Sequence, residues 1–300
     1  MTTETVPSAS TPVTSTSPRT TATKSPELSP PGERRGSALG DMWVVARRGL
    51  LHMRREPEVL ADATIQPVMF VLLFAYVFGG AISVPGGGSY REFLIGGIFA
   101  QTIVFGGTFG VAMAIAADRT NGAMDRFRSL PMAGSAVLGG HALANLLKAL
   151  LPMAFMSVCG LIVGWRIHTD VLHAAAAYGL LVLFAFAMIW IGVLLGSSLA
   201  TPQAVQGVAF VAIFPLTFVA STFVPTSTLP GVLKTFAEWN PVSSLSGSLR
   251  TLFGNPGAKA PAGAPWSLQH PVLYTVIASA VIIAVAAPIA IRQFQRSIAD

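Results

Sequence analysis

Charge is what this sequence has least of. Only 11% of its 300 residues are charged, against 52% apolar. Soluble domains carry roughly a quarter charged residues, so these ions are too few to cover a soluble protein of this length. Cysteine is nearly absent: Cys159 stands alone inside an apolar run, so no disulfide framework can form within the chain. It reads as a small packing residue. None of the four lysines, Lys24, Lys148, Lys234 and Lys259, follows a glycine, which excludes a P-loop for ATP; HExxH, CxxC and GxSxG are also missing. The five histidines are scattered, which argues against a metal cluster.

What is present is a set of long apolar runs. A bilayer core of ~30 Å needs about 20 apolar residues in a helix rising ~1.5 Å each. Six runs qualify: 63–82, 93–117, one within 136–163, 171–199, 204–223 and 271–291. Helices satisfy their own backbone polar groups in lipid, and no alternating segments of about 10 residues suggest a barrel. The expected fold is therefore an all-α integral membrane protein with six transmembrane helices. No Asp or Glu lies inside any run; Glu92, Asp118 and Asp170 sit at ends or in loops. Ion-coupled transporters usually hold a carboxylate within the membrane, although histidines or backbone carbonyls can serve instead.

The net charge is +6. The cations flank apolar runs rather than interleave with aromatics, which points to a membrane and not to nucleic acid. Arg47, Arg48, Arg54 and Arg55 precede the first run, Arg119, Arg126 and Arg128 separate the second and third, and Arg292 and Arg296 follow the sixth. Short loops on the other side hold only Arg91 and Arg166; Lys234, Arg250 and Lys259 lie in a long loop, which counts for less. Both termini are expected to be cytoplasmic, in a multi-pass protein of the inner cell membrane. The first residues, rich in Ser, Thr and Pro, lack the apolar core of a secretory signal. Residues 1–35 read as a disordered cytoplasmic tail and residues 36–300 as the transmembrane domain.

Three polar segments stand out. Leu39, Trp43, Ala46, Leu50 and Met53 recur at helical steps, with Arg47, Arg48, His52, Arg54 and Arg55 on the other faces. This is either an amphipathic helix lying on the inner membrane surface, with Trp43 at the interface, or a simple positive anchor. The loop DRTNGAMDRFRSLP, Asp118 to Pro131, places Met124, Phe127 and Leu130 on one face. Asp118 or Asn121 can cap a short helix there, and a docking partner at the cytoplasmic face would explain why a connecting loop carries one. Between the fifth and sixth runs, Ser227 or Thr228 can cap a helix starting near Pro230 that Asn240–Pro241 interrupts. A second run with Val242, Leu245, Leu249 and Phe253 ends at Gly254. Neither piece can span, so they read as an outer re-entrant hairpin or as two short helices lying flat.

Lys148 shares a face of the third run with His141 and Asn145. A lysine at mid-membrane costs roughly 2.5–3.5 kcal/mol on insertion scales. A span starting at Leu146 would instead let Lys148 snorkel to the boundary. Gly106/Gly110, Gly160/Gly164 and Gly192/Gly196 form GxxxG pairs, read as ordinary close packing.

These parts in this order resemble the permease subunit of an ABC type-2 exporter of the daunorubicin-resistance kind. The carrying residues are DRTNGAMDRFRSLPM, Asp118 to Met132, and NPVSSLSGSLRTLFG, Asn240 to Gly254, behind the segment at Leu39 to Met53. The resemblance implies that two permease copies pair as a homodimer above two copies of a separate ABC ATPase. ATP and magnesium belong to that partner, and no cofactor is expected on this chain. It implies a coupling helix over about Asn121 to Leu130, matched at Gly122, Asp125, Arg126, Phe127, Arg128, Leu130 and Pro131, with Asp118 and Arg119 leading into it. The interfacial helix with Trp43, Arg47, Arg48, Arg54 and Arg55 would flank the ATPase contact. The hairpin with Asn240, Pro241 and Arg250 would cap the path. The implied activity is efflux of a hydrophobic drug or antibiotic; the alternatives are a polysaccharide or lipid-linked glycan exporter and an ion-coupled secondary transporter. A membrane enzyme is disfavoured, because no acid–base pair or metal set converges.

Overall fold

The computed structural model describes residues 57–82, 84, 87–121, 134–260 and 263–299, together with Arg47, an exposed helical residue. All of them fall in the unit Gly36–Asp300. The tail 1–35, the interfacial residues Trp43, Arg48, Arg54 and Arg55, and the coupling positions Gly122, Asp125, Arg126, Phe127, Arg128, Leu130 and Pro131 lie outside the described residues.

Among the described residues the regular structure is helical: α1 (Pro57–Val77), α2 (Tyr90–Thr120), α3 (Gly134–Val163), α4 (Val171–Ser198), α5 (Pro202–Phe218), α6 (Gly231–Trp239), α7 (Pro241–Phe253), α8 (Trp266–Gln269) and α9 (Pro271–Ala299). Four contain stretches long and apolar enough to cross a membrane: Tyr90–Thr120, Leu138–Val163, Val171–Ser198 and Pro271–Gln293. Where their side chains are described, α1 and α5 offer shorter apolar stretches, Thr64–Val77 and Pro202–Phe218. The 17 residues of α5 reach only about 26 Å, below the ~30 Å of a bilayer core.

The pair α2–α4 forms the centre. Glycine explains how close they come: a Cβ on Gly192 would sit 2.4 Å from Thr108 O, and one on Gly196 2.6 Å from Ala112 O. Backbone meets backbone there, as a small-residue pair allows. Gly106 and Gly164 have nothing within 4 Å of a built Cβ, so only one of the three GxxxG pairs is a tight helix crossing. Around this pair lies a continuous core containing Phe93, Phe99, Phe184, Leu245, Leu249 and Phe253. The outer faces of α1, α5 and α9 leave large apolar side chains uncovered, among them Ile65, Met69, Val211, Val281 and Val285.

Several helix ends follow local chemistry. Asp170, Thr201 and Asn240 cap α4, α5 and α7 by accepting from His173 N, Ala204 N and Val242 N. Proline follows the cap in α5 and α7, where its missing N–H costs nothing. Gly254 ends α7 at φ +71°, a left-handed conformation that glycine adopts without strain.

Other ends differ from expectation. The first run was expected to reach Ile82, but α1 stops at Val77, and a turn closes through Ala81 N donating to Phe78 O (3.0 Å) beside Gly79–Gly80. The fifth was expected to reach Phe223, yet α5 stops at Phe218. The α6 cap is Pro230, without a side-chain hydrogen bond, while Thr228 Oγ1 donates to Pro225 O in the 3-10 turn Thr226–Thr228. Asp118 lies in the last turns of α2, inside the second span, and Asn121 is the C-cap of that helix; a short helix beyond Asn121 lies outside the described residues.

Candidate functional site

The described site residues gather at opposite ends of α2. Its C-terminal end leads into the segment 122–133. There Arg119 Nη1 donates to Ser197 O (2.8 Å) and Leu199 O (3.2 Å). These carbonyls end α4, where a helix leaves acceptors unpaired and favours a cation. His141 Nε2 of α3 lies 3.2 Å from Asp118 Oδ2, at ion-pair distance but outside hydrogen-bond geometry. Asn145 donates to His141 O (2.9 Å), and Gly110 makes room for its amide: a Cβ on Gly110 would come within 3.3 Å of Asn145 Oδ1. Ser198 Oγ donates to Gln293 Oε1 of α9 (3.1 Å). The last turn of α2 is thus tied directly to α3 and α4, and α4 to α9. Lys148 is half-buried. It lies in the first half of α3 (Gly134–Val163), on the helix that also carries His141 and Asn145.

The other end is the hairpin end. Arg250 of α7 is 1% exposed. Its Nε donates to Phe93 O (2.9 Å), Nη1 to Ser221 Oγ (3.2 Å), and Nη2 to Ser221 O (2.7 Å) and Thr222 O (3.4 Å). The guanidinium lies 3.5 Å from the centroid of the Phe93 ring, a cation–π stack. A guanidinium keeps its proton in a protein interior, so the charge is present there. The turn after α5 that receives these bonds is pressed onto α2. A Cβ on Gly97 would sit 2.0 Å from Thr222 O, and Tyr90 Oη donates to Phe223 O (2.9 Å). Asn240 Nδ2 donates to Leu216 O (2.6 Å) as its Oδ1 caps α7. Trp165 Nε1 donates to Asn255 Oδ1 (2.7 Å), and Asn255 returns a bond to Arg166 O (2.8 Å).

The two halves of the expected hairpin therefore differ. The second, α7, is buried against α2, α4 and α9, with Ser243, Ser244, Ser246 and Ser248 inside. The first, α6, leaves Val232, Leu233, Phe236 and Trp239 exposed.

Sequence reasoning assigned Arg250 to the hairpin but weighed its charge only for topology, and missed its burial. A signal was available: Ser243, Ser246 and Gly247 precede it at helical steps, a face of small residues over which a long side chain can lie. It also missed a phenylalanine ladder. Along α5, the turn after it, and the end of α1 with the residue beyond, Phe210, Phe214, Phe218, Phe223, Phe74 and Phe78 follow one another with centroids 4.1 to 5.2 Å apart. Phe210, Phe214 and Phe78 are exposed. The i, i+4 spacing on both helices was the available signal.

The sequence profile described as ABC-2 type transporter matches residues 41–253. A daunorubicin resistance ABC transporter permease protein of Streptomyces coeruleorubidus is 30% identical over 223 residues, covering 74% of this chain and 78% of the relative. A probable doxorubicin resistance ABC transporter permease protein of Mycobacterium tuberculosis is 23% identical over 236 residues, 77% of this chain and 85% of the relative. A putative transport permease of Cyanophora paradoxa is 22% identical over 218 residues, 72% and 74% respectively. With most of its length matched by the profile, the chain belongs to the ABC-2 type transporter family.

Proposed function

We propose that this chain is the permease subunit of an ABC exporter that effluxes a hydrophobic drug or antibiotic, powered by a separate ATPase subunit. The observation that carries the cargo class is the ladder from Phe210 to Phe78. It offers stacked aromatic faces without hydroxyl or indole donors. Flat apolar rings gain from such a surface, whereas a sugar also needs hydrogen-bond partners.

In this reading α1 and α5 complete a set of six spans, with both termini cytoplasmic and residues 1–35 a tail outside the 36–300 transmembrane domain. Two copies of the chain pair above two ATPase subunits, which bind the ATP and magnesium. The segment with Gly122, Asp125, Arg126, Phe127, Arg128, Leu130 and Pro131 is the coupling helix, flanked by the interfacial helix with Trp43, Arg47, Arg48, Arg54 and Arg55. A push on it enters α2 at Asp118 and Arg119, which touch α3 and α4. The subunits then rock as rigid bodies between two states whose populations ATP binding shifts. The hairpin α6–α7 dips partway into the outer leaflet and caps the path.

Vesicles holding the chain and its co-purified ATPase test this. ATP-dependent uptake of anthracycline-like dyes is expected, lost in Arg126→Glu and weakened in Phe214→Ser. Failure to bring down any ATPase, with transport intact in Arg126→Glu, would sink the exporter reading in favour of an ion-coupled carrier. Glycan translocation without dye uptake would overturn the cargo class alone.

A further inference from the structure

Arg250 raises a question that its structural role does not answer. Its recorded hydrogen-bond partners are three carbonyls and one hydroxyl, all neutral. Neutral acceptors satisfy its donors but not its charge, and a buried charge without a counter-charge is costly. Among the described residues no carboxylate pairs with it, and Glu92, Asp170 and Glu238 lie against His168, His173 and Lys234.

Arg250 also lines a cleft of about 50 Å³ with Lys259, Ser221, Ser243 and Thr226. No acidic residue lines it. Two cationic residues therefore line one small space. The hydroxyls are set for donation. Ser243 Oγ accepts from Ser221 N (2.9 Å) and Ser221 Oγ accepts from Arg250 Nη1, so each hydroxyl keeps its own proton to give.

Depth in the membrane comes from the neighbours. Pro271, where the apolar stretch of α9 begins, lines the same cleft. Beside that helix start, Trp239, Trp266 and Tyr274 form an aromatic cluster, with Tyr274 Oη donating to Trp239 O (2.7 Å). Tryptophan and tyrosine collect where hydrocarbon meets headgroups.

We propose that this cleft binds a negatively charged oxyanion of the phosphate class, positioned where the headgroup of an anionic membrane lipid can enter it. The cleft is large enough for the oxyanion but not for acyl chains, which would lie outside along α9. Arg250 supplies fixed charge from below and Lys259, exposed at the rim, closes on the ligand. The bound anion neutralises the guanidinium that joins α7 to α2.

The test uses the full chain purified in detergent. Native mass spectrometry with phosphatidylglycerol or phosphatidylcholine at equal concentration reads lipid retention, and inorganic phosphate is titrated against the thermal unfolding midpoint. Phosphatidylglycerol is expected to be retained in preference to phosphatidylcholine. Lys259→Gln should cut that preference about five-fold, one cation's worth at a membrane surface, and Lys259→Glu should abolish it. Both variants change an exposed side chain, so an unfolding midpoint near that of wild type shows that the fold survives. If phosphate raises the wild-type midpoint and not that of Lys259→Glu, while the two lipids are retained equally, the site stands with a free oxyanion as occupant. Equal lipid retention without phosphate stabilisation overturns the proposal, as does a phosphatidylglycerol preference unchanged in Lys259→Glu.

Discussion

Two arginines do the same chemistry at opposite ends of α2, and burial separates them. Arg250 gives four bonds to neighbouring segments from a buried position at the edge of the cleft; Arg119 gives two to the end of α4 and remains partly in solvent. Both hold carbonyls that regular structure leaves unpaired. Water can replace Arg119 at those carbonyls, whereas Thr222 beneath Arg250 is fully buried. The hairpin end is therefore built to stay assembled. The end leading to residues 122–133 can change its contacts at small cost, as a transmitting joint must.

The largest effect follows from removing Arg250. No other hydrogen bond among the described residues reaches Ser221 O or Thr222 O. Arg250→Met leaves both buried and unpaired, at ~1–3 kcal/mol each. Thermal unfolding in detergent should show a much lower midpoint, with Arg250→Lys recovering only part, because an ammonium cannot reproduce the planar fork. A wild-type midpoint in Arg250→Met would mean that α7 is held by its apolar face alone.

Next comes the close approach beneath that arginine. Gly97→Ala puts a methyl group 2.0 Å from Thr222 O, so the turn must move off α2, at a cost of ~1–3 kcal/mol. Gly106→Ala, on the same helix with nothing within 4 Å, should be neutral or slightly stabilising, since alanine is the better helix former by ~1 kcal/mol. Equal unfolding midpoints for the two variants would contradict the contact between Gly97 and the turn.

At the opposite end the balance reverses. Arg119→Ala loses two bonds that water can replace, so stability should fall by about 1 kcal/mol or less. ATP-driven transport in vesicles should fall by a larger factor than the unfolded fraction rises. Parallel losses would make Arg119 a brace for α4 and nothing more.

These contrasts also mark what the sequence could reveal. The spans α2, α4 and α9 were legible because each is a long apolar run whose ends carry caps, glycines or charges. The ends of α1 and α5 were not. The residues after Phe218 stay apolar through Phe223, with Ser221 and Thr222 between, so composition alone extends the helix. The chain turns instead because its carbonyls are met by Arg250 and Tyr90, from 28 to 133 residues away in sequence. Burial of Arg250 is likewise a property of α2 and the turn as much as of α7. The polar positions Asp118 and Arg119 were recognised, but their partners Asp118–His141 and Arg119–Ser197 join separate helices, and no local pattern announces such pairs.

The smallest expected effect tests whether a purely local feature behaves as local chemistry says. Asp170 caps α4 at the hairpin end, on the exposed surface, and its carboxylate takes hydrogen bonds from His173 N and the His173 ring. That side-chain bond holds the carboxyl below the usual carboxylate range. A group whose folded value is depressed stabilises the fold above its unfolded value, and the contribution is lost as pH falls through the folded one. The midpoint difference between wild type and Asp170→Ala should therefore be small but present at pH 7, shrinking below about pH 4. His173→Ala should remove most of the pH dependence and leave the backbone cap in place, because His173 N still donates to Asp170 whatever side chain the residue carries. A difference that instead grew on acidification would mean that the charge on Asp170, rather than its bond, opposes folding there.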